Sequence, residues 1–420
     1  MNDPIEFHKL RNGKIQVMPK VKLKDKNDLK LAYTPGVADV SLAIKADKNL
    51  SFEYTNRSNS IAIVTDGTRI LGLGKIGPEA GMPVMEGKAL LFKHFGGVDA
   101  IPLAISNTDK GFILSFIRAI APSFGGINLE DIESPKVVEI LKELESSLEI
   151  PVFHDDSYGT AVSVLAALIN ALKLVGKSIK EIKIVVNGAG SAGYGIVKLL
   201  VSFGAKDIIV FDTKGAIFKD RDQEVKTNII KREISEITNK DQLSLSIEEA
   251  VKGADLLIGV STKGAFNKEM IKKMNDKAIV FALANPIPEI DEQSALDAGA
   301  YIYASGRSDQ KNQVNNLLAF PGIMRGLLDV NAIRVNDNAL IAAADAIASS
   351  LKGDLDRFNI IPDIFSQRSE LALNVAYAVG RSLIKDGLAR RRLSDEDLKA
   401  KIADKLKLSF DIEDYILDKL

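Results

Sequence analysis

The chain has 420 residues, 46% of them apolar, and at roughly 150 residues per domain this length fits two or three domains, each with its own core. Its 55 Lys and Arg against 56 Asp and Glu leave a net charge of −1, with no global electrostatic footprint for nucleic acid or an anionic membrane. The absence of cysteine excludes disulfides, thiolate catalysis, iron–sulfur clusters and zinc ribbons, and three histidines argue against a His-rich metal site.

Met1-Asn2-Asp3-Pro4-Ile5-Glu6 lacks the basic-then-apolar pattern of a signal peptide. No uninterrupted apolar run reaches the roughly 20 residues that span a bilayer, so a soluble cytoplasmic protein is expected. Lys20-Val21-Lys22-Leu23-Lys24 alternates like a short strand but reads better as a solvated arm. From Ile61 to Ile105, β-branched runs separated by glycine-rich turns predict mixed strands and helices. After Pro151-Val152-Phe153, apolar residues at helical spacing predict a bridging helix over Thr160–Val175. Strands are then expected at Ile182–Val186, Ile208–Phe211, Leu256–Val260, Ala278–Ala282 and Tyr301–Tyr303, with helices between, starting with Ala192–Phe203. This alternation is the signature of a doubly wound parallel sheet. Beyond Asn316 the pattern is mostly helical, including 339–351 and 366–383, and Ser394 with Asp397 forms a capping pair before a last helix. The expected architecture is α/β: an N-terminal mixed α/β domain over 1–159, a Rossmann-type domain over 160–386 and a helical C-terminal segment over 387–420.

Directly after the 182–186 strand stands Gly188-Ala189-Gly190-Ser191-Ala192-Gly193, a G-x-G-x-x-G in strand–turn–helix context. Gly188 permits the tight turn, Gly190 lets a pyrophosphate approach the backbone, and Gly193 lets helix pack on strand. The helix N-terminus supplies free N–H groups for phosphate. Asp212 ends the next strand, about 20 residues beyond the loop, where an acid usually bonds the adenosine ribose. A carboxylate there favours NAD over NADP, but Lys214 is close enough to offset it, so both cofactors stay open.

Two acidic pairs, Glu130-Asp131 and Asp155-Asp156, flank the helical segment Pro135–Leu148 at what read as turn positions. Adjacent carboxylates repel, and paired acids at strand ends can hold a hard cation such as Mg²⁺ or Mn²⁺. Either pair taken alone reads better as ordinary solvated acids, and spacing alone does not overturn that reading. Lys88, between Gly87 and an apolar helical run, is a surface lysine or a buried one whose pKa burial lowers toward that of a general base. Tyr33 sits at a Pro-Gly corner, where tyrosines usually pack. His8 lies in the arm, His94 on the helix after Lys88, and His154 reads as an orienting or packing residue; none is given a catalytic role.

Taken in order, Tyr33-Thr34-Pro35-Gly36-Val37, Thr65-Asp66-Gly67 with Arg69-Ile70-Leu71-Gly72-Leu73-Gly74, Glu86-Gly87-Lys88, Glu130-Asp131, Asp155-Asp156 with Gly159-Thr160-Ala161, the Gly188–Gly193 loop, Ala284-Asn285-Pro286, and Asn315-Asn316 before Phe320-Pro321-Gly322 resemble the malic enzymes in their compact prokaryotic form. The resemblance runs from about Tyr33 to Gly322. It implies divalent-cation-dependent oxidative decarboxylation of L-malate to pyruvate and CO₂ with NAD or NADP. Lys88 then matches the general base, Tyr33 the general acid, and Glu130, Asp131 and Asp156 the metal ligands, with Asp155 tuning the lysine. Arg69 matches the substrate-carboxylate contact, and Asn285 and Asn316 match amides near substrate and nicotinamide. A homodimer is expected by resemblance, without an acetyltransferase-like extension. One departure is Ser157-Tyr158, where compact members more often carry Gln-His. Two alternatives remain: a redox-neutral malolactic reaction, and a dinucleotide-binding protein without turnover.

Overall fold

The chain builds two parallel sheets joined by one long helix, in a computed structural model that describes residues 3–418. Strands β1 (Ser60–Thr65), β2 (Asp99–Ala104), β3 (Gly126–Leu129) and β4 (Val152–His154) form the first sheet in the order β2-β1-β3-β4. Helices cover both faces, so Ser60-Ile61-Ala62-Ile63-Val64-Thr65 is buried along its whole length instead of alternating. Because these strands are parallel and paired Val64 to Leu129 and Leu129 to His154, the loops that follow them leave from one edge. That edge collects Asp66-Gly67-Thr68-Arg69, Glu130-Asp131 and Asp155-Asp156.

The second sheet contains β5 (Lys183–Asn187), β6 (Asp207–Asp212), β7 (Gly215–Ala216), β8 (Leu256–Gly259), β9 (Ile279–Ala282) and β10 (Ile302–Ser305). Its order is β10-β9-β8-β5-β6-β7, parallel except for the β6–β7 hairpin, so the strand order reverses between β5 and β8. That switch point is where open α/β sheets bind ligands.

The helix Asp155–Val175 bridges the two sheets and begins ahead of the expected Thr160. His154 is its N-cap, and Asp155 and Asp156 occupy its first turn, where negative charge is favoured by the positive end of the helix dipole. This pair is therefore helical, a correction to its reading as a turn. By length and composition the helix is apolar enough to cross a membrane, but 72% of its most apolar window is buried in the protein. It packs against the helices Ser191–Phe203 and Asp337–Ser349.

Beyond the second sheet the chain returns to the first. The helix Phe320–Asp329 packs on the helix Pro78–Gly96, with the Phe92 and Phe320 rings 4.6 Å apart. A Cβ added at Gly96 would lie 2.7 Å from the Pro321 carbonyl oxygen, so this crossing needs glycine. The last helix, Asp395–Leu417, starts at the expected cap, where Ser394 Oγ accepts from the Asp397 N–H. It docks through Glu413, whose carboxylate lies 2.8 Å from His94 Nδ1 and accepts from Arg368. At the other end, 20–24 forms no strand, and the helices Lys26–Ala32 and Val37–Ala46 bury no residue.

Candidate active site

The helix Pro78–Gly96 carries Lys88 to the edge where the acids gather. Its Nζ lies 2.5 Å from Asp155 Oδ2, 2.8 Å from Glu130 Oε1 and 4.4 Å from the centre of the Phe320 ring, and the side chain is 10% exposed. Asn316 Nδ2 donates to the same Asp155 oxygen at 2.5 Å. Asp155 is fully buried, and a Cβ added at Gly159 would lie 2.0 Å from its Oδ1, so the glycine one helical turn on makes room for the carboxylate. Lys88 is thus buried, as one of its two readings required. The expected fall in its pKa is not found: burial pulls the ammonium down, but Asp155 and Glu130 outweigh it and hold the lysine above its ordinary value. Spacing along the chain cannot show that two carboxylates, one just after β3 and one just after β4, meet one amine.

The acids carry the complementary strain. Burial pushes Glu130 up to about 7, with Asp155 and Asp156 adding repulsion and Lys88 opposing. Burial, Glu130 and Asp156 push Asp131 up to about 8, and burial pushes Asp155 up to about 6 against the pull of Lys88. Asp156, with its side chain 36% exposed, is the outlier: burial still raises it, but His154, Lys88 and Arg69 hold it low. Asp131 has a left-handed φ of 52°, and its buried Oδ2 has no hydrogen-bond partner. Asn128 Nδ2 donates to Glu130 Oε2 at 2.7 Å. His154 is fully buried 3.7 Å from Asp156, and neither ring nitrogen has a hydrogen-bond partner. Hard oxygen donors, two of them orphaned (Asp131 Oδ2 and Asp155 Oδ1), suit a divalent cation. Among the described residues no three such side chains converge at ligand spacing; the Lys88 ammonium is the cation that Glu130 and Asp155 share.

The Arg69 loop is tied to this cluster through the backbone. Arg69 N–H donates to the Asp131 carbonyl at 3.1 Å, and buried Asp66 accepts from Lys136 Nζ at 2.7 Å. The exposed Arg69 guanidinium points across to the second sheet, with Nη1 3.9 Å from the place a Cβ would occupy on Gly190.

The Gly188–Gly193 loop has the geometry its motif predicts. Gly188 has a φ of 123°, and a Cβ there would lie 2.4 Å from the Val260 carbonyl oxygen, while one on Gly193 would lie 1.9 Å from that of Gly188. Gly190, by contrast, faces open space apart from Arg69. Ala189 and Ala192 complete the loop, and Ser191, at the start of the helix Ser191–Phe203, keeps a buried Oγ without a partner. This cradle fits a dinucleotide pyrophosphate. The helices Asp155–Val175 and Ser191–Phe203 approach closely at Gly195, where a Cβ would lie 2.5 Å from the Ser157 carbonyl oxygen. The neighbouring Tyr158 donates to Glu145 Oε1 at 2.7 Å and packs edge-on to Phe153, so Ser157-Tyr158 faces helices and no proposed ligand.

Asp212 is also where the motif puts it, at the end of β6, but Lys214 does not offset it: that ammonium pairs with Glu224 at 2.8 Å. Arg221 and Lys231, which the sequence reading passed over, hold Asp212 instead. Asn285 follows β9 and is exposed beside Gly306. Tyr33 caps the helix Lys26–Ala32, is 67% exposed, and among the described residues is bonded to neither Lys88 nor any of the four acids.

Family models described as "Malic enzyme, N-terminal domain" and "Malic enzyme, NAD binding domain" match residues 12–114 and 158–384. The chain belongs to the malic enzyme family. Among malic enzymes, it is 46% identical to the "Bifunctional malic/malolactic enzyme" of Bacillus subtilis over 95% of this chain and 97% of that one. It is 47% identical to the "NAD-dependent malic enzyme" of Geobacillus stearothermophilus over 90% of this chain and 78% of that one. The crystal structure of a malic enzyme from Pyrococcus horikoshii superposes with a TM-score of 0.93 at 44% identity, covering 99% of both chains.

Proposed function

We propose that this chain oxidatively decarboxylates L-malate to pyruvate and CO₂, reducing NAD or NADP, with Mg²⁺ or Mn²⁺ required. The observation that carries this reading is Lys88 held between Asp155 and Glu130 at a strand edge whose Arg69 faces the phosphate loop. Lys88 accepts the proton of the substrate hydroxyl, Asp155 and Asn316 fix its position, and Arg69 binds a substrate carboxylate. Asn285 would contact the nicotinamide end of a bound cofactor. Tyr33 returns a proton at carbon after CO₂ departs, because one group must accept at oxygen and another donate at carbon.

A divalent cation held by Glu130, Asp131 and Asp156 supplies Lewis-acid polarisation of the substrate oxygens. When bound, its charge would offset part of the carboxylate field that keeps the Lys88 ammonium protonated. A dinucleotide held at the Gly188–Gly193 loop would supply the hydride acceptor.

The protein acts as a homodimer in the cytoplasm. Supporting the dimer, Leu29, Leu31, Val40 and Leu42 are exposed on the same two short helices that flank Tyr33, an apolar surface that a second copy covers. Tyr33 joins the chemistry only once that arm is docked.

The test is reduced-cofactor formation from L-malate with and without chelator, with pyruvate and lactate assayed in parallel. Metal-dependent pyruvate and reduced cofactor in equal amounts are expected. Lactate without net reduced cofactor overturns the assignment in favour of the malolactic reaction named for the Bacillus subtilis relative, and dinucleotide binding without any product leaves a binding protein.

A further inference from the structure

A carboxylate has room for about four hydrogen bonds, and those of Asp212 are all taken. Oδ1 accepts from the Lys214 backbone N–H at 2.8 Å and from Arg221 Nη1 at 2.8 Å. Oδ2 accepts from Arg221 Nη2 at 2.7 Å and lies 2.7 Å from Lys231 Nζ. The side chains of Asp212, Arg221 and Lys231 are 7%, 9% and 11% exposed, so this is a packed triad and not a chance surface pairing. Arg221 is braced further by the Gly215 and Ala216 carbonyls and by Asp222, and Lys231 by Glu224.

An acid at this strand end discriminates in two ways: it accepts from the 2′- and 3′-hydroxyls of the adenosine ribose, and it repels a 2′-phosphate. Asp212 is equipped for neither. It has no acceptor position left for a hydroxyl, and its single charge is shared by two cations. An approaching 2′-phosphate, with a charge of about −1.5 to −2, meets a guanidinium and an ammonium that are fixed by the acid instead of meeting the acid itself.

We infer that Arg221 and Lys231 are the residues that set cofactor selectivity in this chain, and that by saturating Asp212 they let it take NADP as well as NAD. The inference rests on the dinucleotide-dependent reading given above but not on which acid leaves the enzyme as product. Asp212 is then a positioning residue that anchors the two cations.

Calorimetric titration of the full chain with NAD and with NADP, without malate, tests this apart from turnover. The unsubstituted protein is expected to bind the two within about tenfold of each other, a gap of about 1.4 kcal/mol. Arg221→Gln and Lys231→Gln should each weaken NADP by at least about tenfold and NAD by less than about threefold, because each uncovers the Asp212 charge. Asp212→Asn should tighten NADP and leave NAD within about threefold, since it removes the one counter-charge that both cations share and leaves each with a single acid, Asp222 or Glu224. Circular dichroism and the melting temperature of each variant separate a local effect from misfolding, and Arg221→Lys, which keeps the charge, should retain most NADP binding. NADP binding more than about 100-fold weaker than NAD in the unsubstituted protein overturns the inference, as does loss of NAD affinity alone in Asp212→Asn. In either case metal-dependent malate oxidation with NAD would still leave the proposed function standing, whereas failure to bind both dinucleotides overturns the two together.

Discussion

Asp155 and Asp212 each stand at the end of a parallel strand, and each is nearly sealed from solvent, yet their surroundings drive them in opposite directions. Asp155 shares one lysine with Glu130 and faces two further acids, so burial prevails and its pKa climbs to about 6. Asp212 is also penalised by burial, but Arg221, Lys231 and a backbone N–H overcome the penalty and hold it down at about 2. A centre short of positive charge can gain a cation or move a proton at little cost, because its carboxylates are already on the verge of protonation. A centre saturated with positive charge is fixed, and presents its cations to whatever arrives. The first arrangement suits chemistry, the second suits recognition.

The sharpest way to break this contrast is to remove the shared amine. Lys88→Ala should lower kcat for malate oxidation by about 10²–10⁴-fold, the usual worth of a positioned proton acceptor; near-normal turnover in steady-state assays would remove Lys88 from the base role. Tyr33→Phe should slow pyruvate formation by a similar order while changing stability by less than about 0.5 kcal/mol, as expected of an exposed side chain. A melting-temperature drop with unchanged kinetics would assign Tyr33 to packing instead. Gly159→Ala should cost about 1–3 kcal/mol in chemical denaturation, because the new methyl overlaps the Asp155 carboxylate, and it should depress activity with it. Unchanged stability there would mean that Asp155 can sit elsewhere.

The smallest effect is the most direct comparison of the two centres. Glu130, Asp131 and Asp155 hold protons more tightly folded than unfolded, with folded values of about 7, 8 and 6 against ordinary values of 4.5, 3.8 and 3.8. Their contribution is therefore intact at acid pH and is lost as pH rises from about 4 to about 8. Asp212 behaves oppositely: its contribution is full above its ordinary 3.8 and is lost as pH falls toward about 2. Mn²⁺ should thus raise the melting temperature more at pH 8 than at pH 5. Equal stabilisation at both pH values would argue against the acid cluster as the metal site.

Much of this was legible from the sequence. The five strands read from the doubly wound region are found with ends shifted by a residue or two, because buried parallel strands are unbroken apolar runs. The strand Gly126-Ile127-Asn128-Leu129 was not legible: it is short, opens on glycine and carries a buried polar residue, and it holds its place by pairing with both β1 and β4. The glycine loop was legible because its chemistry is local. Arg221 and Lys231 were not, since nothing in their spacing marks a side chain that reaches back to Asp212 from a loop and a separate helix. For the same reason the sequence showed that Lys88 is preceded by glycine and followed by apolar residues, but not that its neighbours in space are two acids.

Ser157 and Gly195 touch backbone to side-chain position, one in the first turn after the acid pair and the other in the first turn after the phosphate loop. The half that carries the acid cluster and the half that carries the glycine loop are thus not interchangeable parts. A nucleotide-binding unit grafted from another dehydrogenase would have to bring a glycine at position 195, whatever its own phosphate loop looked like, or the acid-bearing helix would be pushed off its seat. Shuffling at this junction is limited by one missing methyl group.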